Sequence, residues 1–204
     1  MTSTKAKRQE IARRVRDKIL TDPESHQQES WALIDPADVL KKGVQKGKYT
    51  AVQCNSTGCV CGWASMLSGD WAIITDDGLT DEFVLPGEDE LTELYSIQFI
   101  ITEDGREMNI EDRGKELLGL LDSEKDWLFS PARDRLEVLY ALNEIIQGGQ
   151  ISYSSRGHLK RTLTQERIAE IVTPPTKPAT KATEVIDLSD LIHDEERVEQ
   201  GIEA

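Results

Sequence analysis

The sequence predicts an α+β domain: a helical core with a central helix near 131–147, a small antiparallel hairpin near 95–110, and a flexible C-terminal tail. Three observations predict it. After Pro131, Leu136, Leu139, Tyr140, Asn143 and Ile146 form one helical stripe, with Val138, Leu142 and Ile145 beside it. A helix apolar nearly all round is a buried one. "YSIQFIIT" (95–102) and "REMNI" (106–110) flank Glu103-Asp104-Gly105, a turn between two strand-forming runs. "TPPTKPATKAT" (173–183) is a stiff Pro/Thr/Lys linker between residues 1–172 and an acidic amphipathic segment at 184–204.

Taken in order, Ile11, Val15 and Ile19 recur every four residues, so residues 4–20 read as an amphipathic helix with a basic outer face. Asp22-Pro23 ends it. Asp35 as cap, Pro36 at the first position and Gly43 as stop define a short helix over 35–42. "KYTAVQ" (48–53) has strand composition. A helix follows over 58–68, with Ser56 or Thr57 as cap and Gly69 as stop, then a short strand "WAII" at 71–74. From 111 the pattern turns helical through Leu117, Leu118, Leu120 and Leu121, and Asp122 or Ser123 caps a brief helix ending near Phe129. Pro131 opens the central helix and Gly148-Gly149 closes it; "ISYSS" (151–155) reads as an edge strand, and Thr164 caps a last helix through Val172.

Charge limits the function. The net charge of −14 is unevenly placed. Residues 1–20 carry +5, residues 183–204 carry −7, and residues 76–112 hold thirteen acidic side chains against Arg106 alone. A nucleic-acid backbone repels that middle surface, so direct nucleic-acid binding by the core is not expected. No run approaches the ~20 apolar residues of a membrane span. The start is basic and lacks the apolar stretch of an export signal, which predicts a cytoplasmic protein with reduced thiols. Neither a phosphate-binding Gly-rich loop, a calcium loop nor a Gly-x-Ser-x-Gly elbow occurs, and the expectation is no cofactor.

"QCNSTGCVCGWASMLSGD" (53–70) holds all three cysteines. Laid on a helix, Cys59, Trp63, Met66 and Leu67 share one face, which suits a small buried hydrophobe. Gly62 admits a close backbone neighbour. Cys61 then lies about 200° from Cys59, which disfavours a shared metal. A zinc site would need Cys54, Cys59 and Cys61 plus a fourth ligand such as His26, His158 or His193; the expectation is no metal. Cys54 and Cys59 are the candidate redox pair, though Cys-x-x-Cys spacing is absent. The catalytic alternative has Cys59 as a nucleophile at a helix start, Gln53 six residues earlier as an oxyanion donor, and His158 as base. That spacing is similar to papain-like cysteine proteases over about ten residues, but Val60 stands where their aromatic follows the nucleophile.

A broader resemblance rests on "WA" at 31–32, "TGCVCGWASMLSGD" at 57–70, "ELLGLLDSEKDWLF" at 116–129 and the helix after them. In this order they resemble a family of small uncharacterised proteins of actinobacteria and their phages. Its pattern is Cys-x4-Cys-x-x-Gly-Trp-Ala, then Leu-Leu-Gly-Leu, then Leu-Phe. Cys54, Thr57, Cys59, Gly62, Trp63 and Ala64 match it; Asn55 and Ser56 depart from it, and Cys61 is an addition. The resemblance covers about residues 15–150. It implies a shared fold and a phage or actinobacterial source, hence a bacterial host cell, and brings no activity, cofactor or catalytic residue.

The tail supplies the remaining signal. Val185, Ile186, Leu188, Leu191 and Ile192 form an apolar cluster edged by acids and tethered by the linker. Such a segment docks into a partner groove or folds back on its own domain. The leading expectation is a non-catalytic accessory protein that binds a protein partner through its acidic surface and this tail, modulating a host or replication factor. A second alternative is an anionic mimic of DNA, in which Asp81, Glu82, Glu88, Asp89 and Glu90 occupy a basic partner.

Overall fold

In the computed structural model, which describes residues 4–46, 49–53, 57–75, 80–84, 91–151, 153 and 164–174, the fold is α+β. The chain divides into two compact units, Met1–Pro174 and Pro175–Ala204, and every described residue belongs to the first. Seven α-helices occur among the described residues, besides a 3-10 turn at Pro23–Ser25: α1 (Thr4–Thr21), α2 (Pro36–Lys42), α3 (Val60–Leu67), α4 (Ile110–Leu118), α5 (Asp122–Leu128), α6 (Arg135–Ile146) and α7 (Gln165–Val172). The first sheet holds β1 (Ala32–Ile34), β4 (Thr57–Gly58), β6 (Thr80–Val84) and β7 (Leu91–Ser96), in the order β4-β1-β7-β6. The second holds β2 (Val44–Lys46), β3 (Tyr49–Val52), β5 (Trp71–Thr75), β8 (Phe99–Ile101) and β9 (Glu107–Asn109), in the order β2-β3-β5-β8-β9. All the pairings are antiparallel.

Local signals set several boundaries. The Asp35 carboxylate accepts from the Ala37 N–H at 2.7 Å, with Pro36 at the first helical position, so α2 begins where its cap dictates. Thr164 caps α7 by accepting from the Arg167 N–H. The central helix begins later than the sequence suggests. Residues 131–132 form a turn, and α6 starts at Arg135 because Asp134 and Glu137 make a reciprocal capping box. Two satisfied backbone donors outweigh the preference of Pro131 for a first turn. Helix α4 likewise starts one residue early, at Ile110, because the Asn109 amide oxygen caps it.

The run 95–102 is not one strand. Tyr95 and Ser96 end β7 in the first sheet, and Phe99 begins β8 in the second. The chain crosses at Ile97 and Gln98; the Ile97 side chain is buried between the sheets, while its N–H donates to Ala32 O. The predicted hairpin survives as β8–β9, closed by Gly105 at φ +82. Ile151 is not in a strand; its N–H donates to the buried Glu124 carboxylate, and Tyr153 stacks on Trp127 at 5.4 Å. Residues 152 and 154–155 of the expected edge strand lie outside the described residues.

Two main apolar clusters result. One joins α1, α3 and α6 through Val15, Ile19, Trp63, Leu139, Leu142 and Ile145. Every α6 residue from Val138 to Asn143 is buried, in keeping with its all-round apolar pattern. The other lies on the sheets, with Ile34, Val52, Ile74, Ile97 and Ile100. Trp31 and Met66 pack against both, so β1 and α3 hold the helical and sheet layers together.

Candidate functional site

The cysteine stretch folds differently from a helix opened by Ser56 or Thr57. Thr57 and Gly58 form β4, paired with Leu33 and Ala32 of β1. Cys59 continues that edge: its N–H donates to Ser30 O at 2.9 Å. It caps α3 with an extended backbone, φ −78 and ψ −173, and its carbonyl accepts the Trp63 N–H. The extended cap invalidates the 200° argument. Cys61 does not point away: the two sulfurs are 3.2 Å apart, and both residues are fully buried. Burial opposes ionisation of Cys59, but the Cys61 thiol and the backbone N–H groups of Gly62 and Cys61 outweigh it and lower the Cys59 pKa. Burial, reinforced by Cys59 itself, pushes the Cys61 thiol well up.

Glycines make this approach possible. A Cβ on Gly62 would lie 1.8 Å from Trp31 O, so only glycine lets α3 meet the β1 backbone. A Cβ on Gly114 would lie 2.5 Å from the Cys61 Cβ, so α4 packs directly on the thiol pair. The rest of the motif is bound internally. Trp63 is fully buried, donates its indole N–H to Ser25 O at 3.0 Å and carries the Lys18 ammonium 4.5 Å above its ring. The Ser65 hydroxyl donates to Asp70, whose buried carboxylate also takes two bonds from Arg113 at 2.8 and 3.1 Å. The sequence reading missed that pair; only its Gly-Asp helix end hinted at a specific role for Asp70.

Of the catalytic alternative, Gln53 and Cys59 are described, and they stand in different surroundings. Gln53 is exposed and its amide donates to Gly69 O at 3.1 Å, whereas Cys59 is sealed from solvent. His158 and Cys54 lie outside the described residues. His26, the described member of the histidines weighed as a fourth ligand, is half-buried: it bridges Gly58, and its Nε2 lies 3.1 Å from Gln28 Oε1. Burial lowers its pKa below the ordinary 6.5. Among the described residues no group of three or more His, Cys, Asp or Glu is placed to hold a metal ion. One open depression of about 380 Å³ on α4 is lined by Asp112, Lys115, Glu116, Gly119 and Leu120; Lys115 pairs with Asp122, and Glu116 with Arg106 and Arg113.

The acidic candidates fall partly on the β6–β7 ribbon. Asp81 and Glu82 belong to β6, which stands at the end of its sheet. Glu82 stands opposite Glu93, which is exposed, and Asp81 stands opposite the buried Leu94. Glu88, Asp89 and Glu90, and Val185, Ile186, Leu188, Leu191 and Ile192 of the tail, lie outside the described residues. Among the described residues no helix is long and apolar enough to cross a membrane. No family model, no curated protein and no solved structure matches the chain.

Proposed function

We propose that the protein is a non-catalytic binding protein that captures a protein partner through its acidic surface and its C-terminal amphipathic tail. The observation that carries this reading is the β6–β7 ribbon. Its register pairs Glu82 with Glu93 within residues 76–112, a stretch that holds thirteen acidic residues against Arg106 alone. A basic partner surface complements that charge, and complementary charge speeds the encounter. The tail adds the apolar contact through Val185, Ile186, Leu188, Leu191 and Ile192, and its linker raises the effective concentration at the partner. The resemblance to the actinobacterial and phage family supports an accessory role in the cytoplasm of a bacterial host, acting on a host or replication factor.

Affinity capture with the full chain, a chain lacking 174–204, and a chain with Asp81, Glu82, Glu88, Asp89 and Glu90 neutralised tests both elements. The expected result is a partner with a basic surface that is retained by the full chain, weakened by salt and lost from each variant. Recovery of the same proteins by all three chains overturns the reading.

A further inference from the structure

Two thiols that touch inside a protein invite a question of chemistry independent of any partner. Cys59 and Cys61 place their sulfurs 3.2 Å apart. A disulfide bond is ~2.05 Å long, so closing one needs an approach of about 1 Å. The extended Cys59 cap already turns its side chain toward Cys61, and α4 holds Cys61 from behind at Gly114. We propose that Cys59 and Cys61 form a peroxide-oxidised dithiol site that closes to an intrachain disulfide.

The position of Cys59 gives the order of reaction: it stands as the cap of α3. Backbone N–H groups at the start of α3 and the Cys61 thiol act to lower the Cys59 pKa, while burial pushes the Cys61 thiol up. The Cys59 thiolate attacks one oxygen of a hydroperoxide and the O–O bond breaks. Cys59 becomes a sulfenic acid, and the other oxygen leaves as hydroxide or alkoxide and takes a proton. The Cys61 sulfur then attacks the Cys59 sulfur; the S–O bond breaks, the departing hydroxide takes the Cys61 proton, and water leaves. The dithiol is oxidised by two electrons and the hydroperoxide is reduced by two. Both thiols are fully buried, so a small oxidant reaches them far more readily than a bulky one. Hydrogen peroxide fits that requirement, whereas a glutathione mixed disulfide has no room beside Gly114 and Phe129.

The test uses the reduced full-length chain, treated with hydrogen peroxide, then denatured, alkylated and read by peptide mass spectrometry. The expected product has lost two hydrogens, carries one alkyl group at Cys54, and has its sulfur–sulfur bond between Cys59 and Cys61. Cys54→Ser forms the same bond at an unchanged rate. Cys61→Ser leaves a Cys59 sulfenic acid that a dimedone probe traps. Glutathione disulfide, at equal concentration, acts at least about tenfold more slowly than peroxide. Alkylation of all three cysteines after peroxide, a bond that includes Cys54, or sulfinic acid at Cys59 without a bond each overturns the proposal. The wild-type and Cys54→Ser masses carry that decision even if the other variant does not fold.

Discussion

The start of α3 and the β6–β7 ribbon make opposite use of charge and polarity. Around α3, Ser65, Asp70 and Arg113 meet one another inside the protein, and the Trp63 indole meets a backbone carbonyl. On the ribbon, Glu82 and Glu93 occupy paired positions in register at the end of a sheet. The difference teaches that the polar groups of a dense motif can be spent on one another, while the acidic residues of a ribbon are set only by the register of its strands. Of the cysteine-rich stretch that draws the eye first, Cys59 to Ala64 is the part that solvent does not reach.

Changes at α3 test the internal side of that comparison. Gly62→Ala has the largest expected effect, because its Cβ meets a backbone oxygen that has nowhere to move. It exceeds the ~3 kcal/mol that overpacking ordinarily costs, and urea unfolding of the variant reads it directly. Asp70→Asn removes the buried carboxylate that takes two bonds from Arg113, leaving Arg113 only its partly exposed partner Glu116, and should cost ~2 kcal/mol in the same measurement. A loss of only a few tenths would show that α3 and α4 do not depend on this pair.

Smaller effects come from titration and from the ribbon. In the unfolded chain His26 takes its proton near 6.5, but burial lowers its folded pKa. The unfolded state therefore binds more protons in that window, so stability is full above 6.5 and declines as pH falls through the folded value. Glu116, held down by Arg106 and then Arg113, adds a second loss in the same direction below its ordinary 4.5. Thermal unfolding against pH should show both, and His26→Gln should flatten the upper one alone. Glu93→Gln has the smallest expected effect and the opposite sign. Removing one charge from the acidic stretch 76–112 raises stability by less than ~0.5 kcal/mol while weakening capture of a basic partner. A destabilised Glu93→Gln would mean that this carboxylate supports the ribbon rather than a partner.

Much of the fold was legible in the sequence. The Asp35-Pro36 start of α2, the Thr164 cap of α7, the all-round apolar α6 and the close approach at Gly62 were all readable. Each is a local rule acting within a turn or along one face. The site was less legible. A regular helix over 58–68 puts Cys59 and Cys61 on different sides, and pairing of β4 with β1 pulls Cys59 out of that helix. The run 95–102 looks continuous, but its two halves find partners in different sheets.

The sequence by itself determined the class of fold, the helix caps, the central helix and the uneven charge, because these depend on neighbours a few residues apart. Only the tertiary structure decided that Cys59 meets Cys61, that Asp70 meets Arg113 across 43 residues of chain, and that Glu82 falls in register with Glu93. Those meetings are set by how sheets and helices pack, and the same local sequence is compatible with many other partners until the packing removes them.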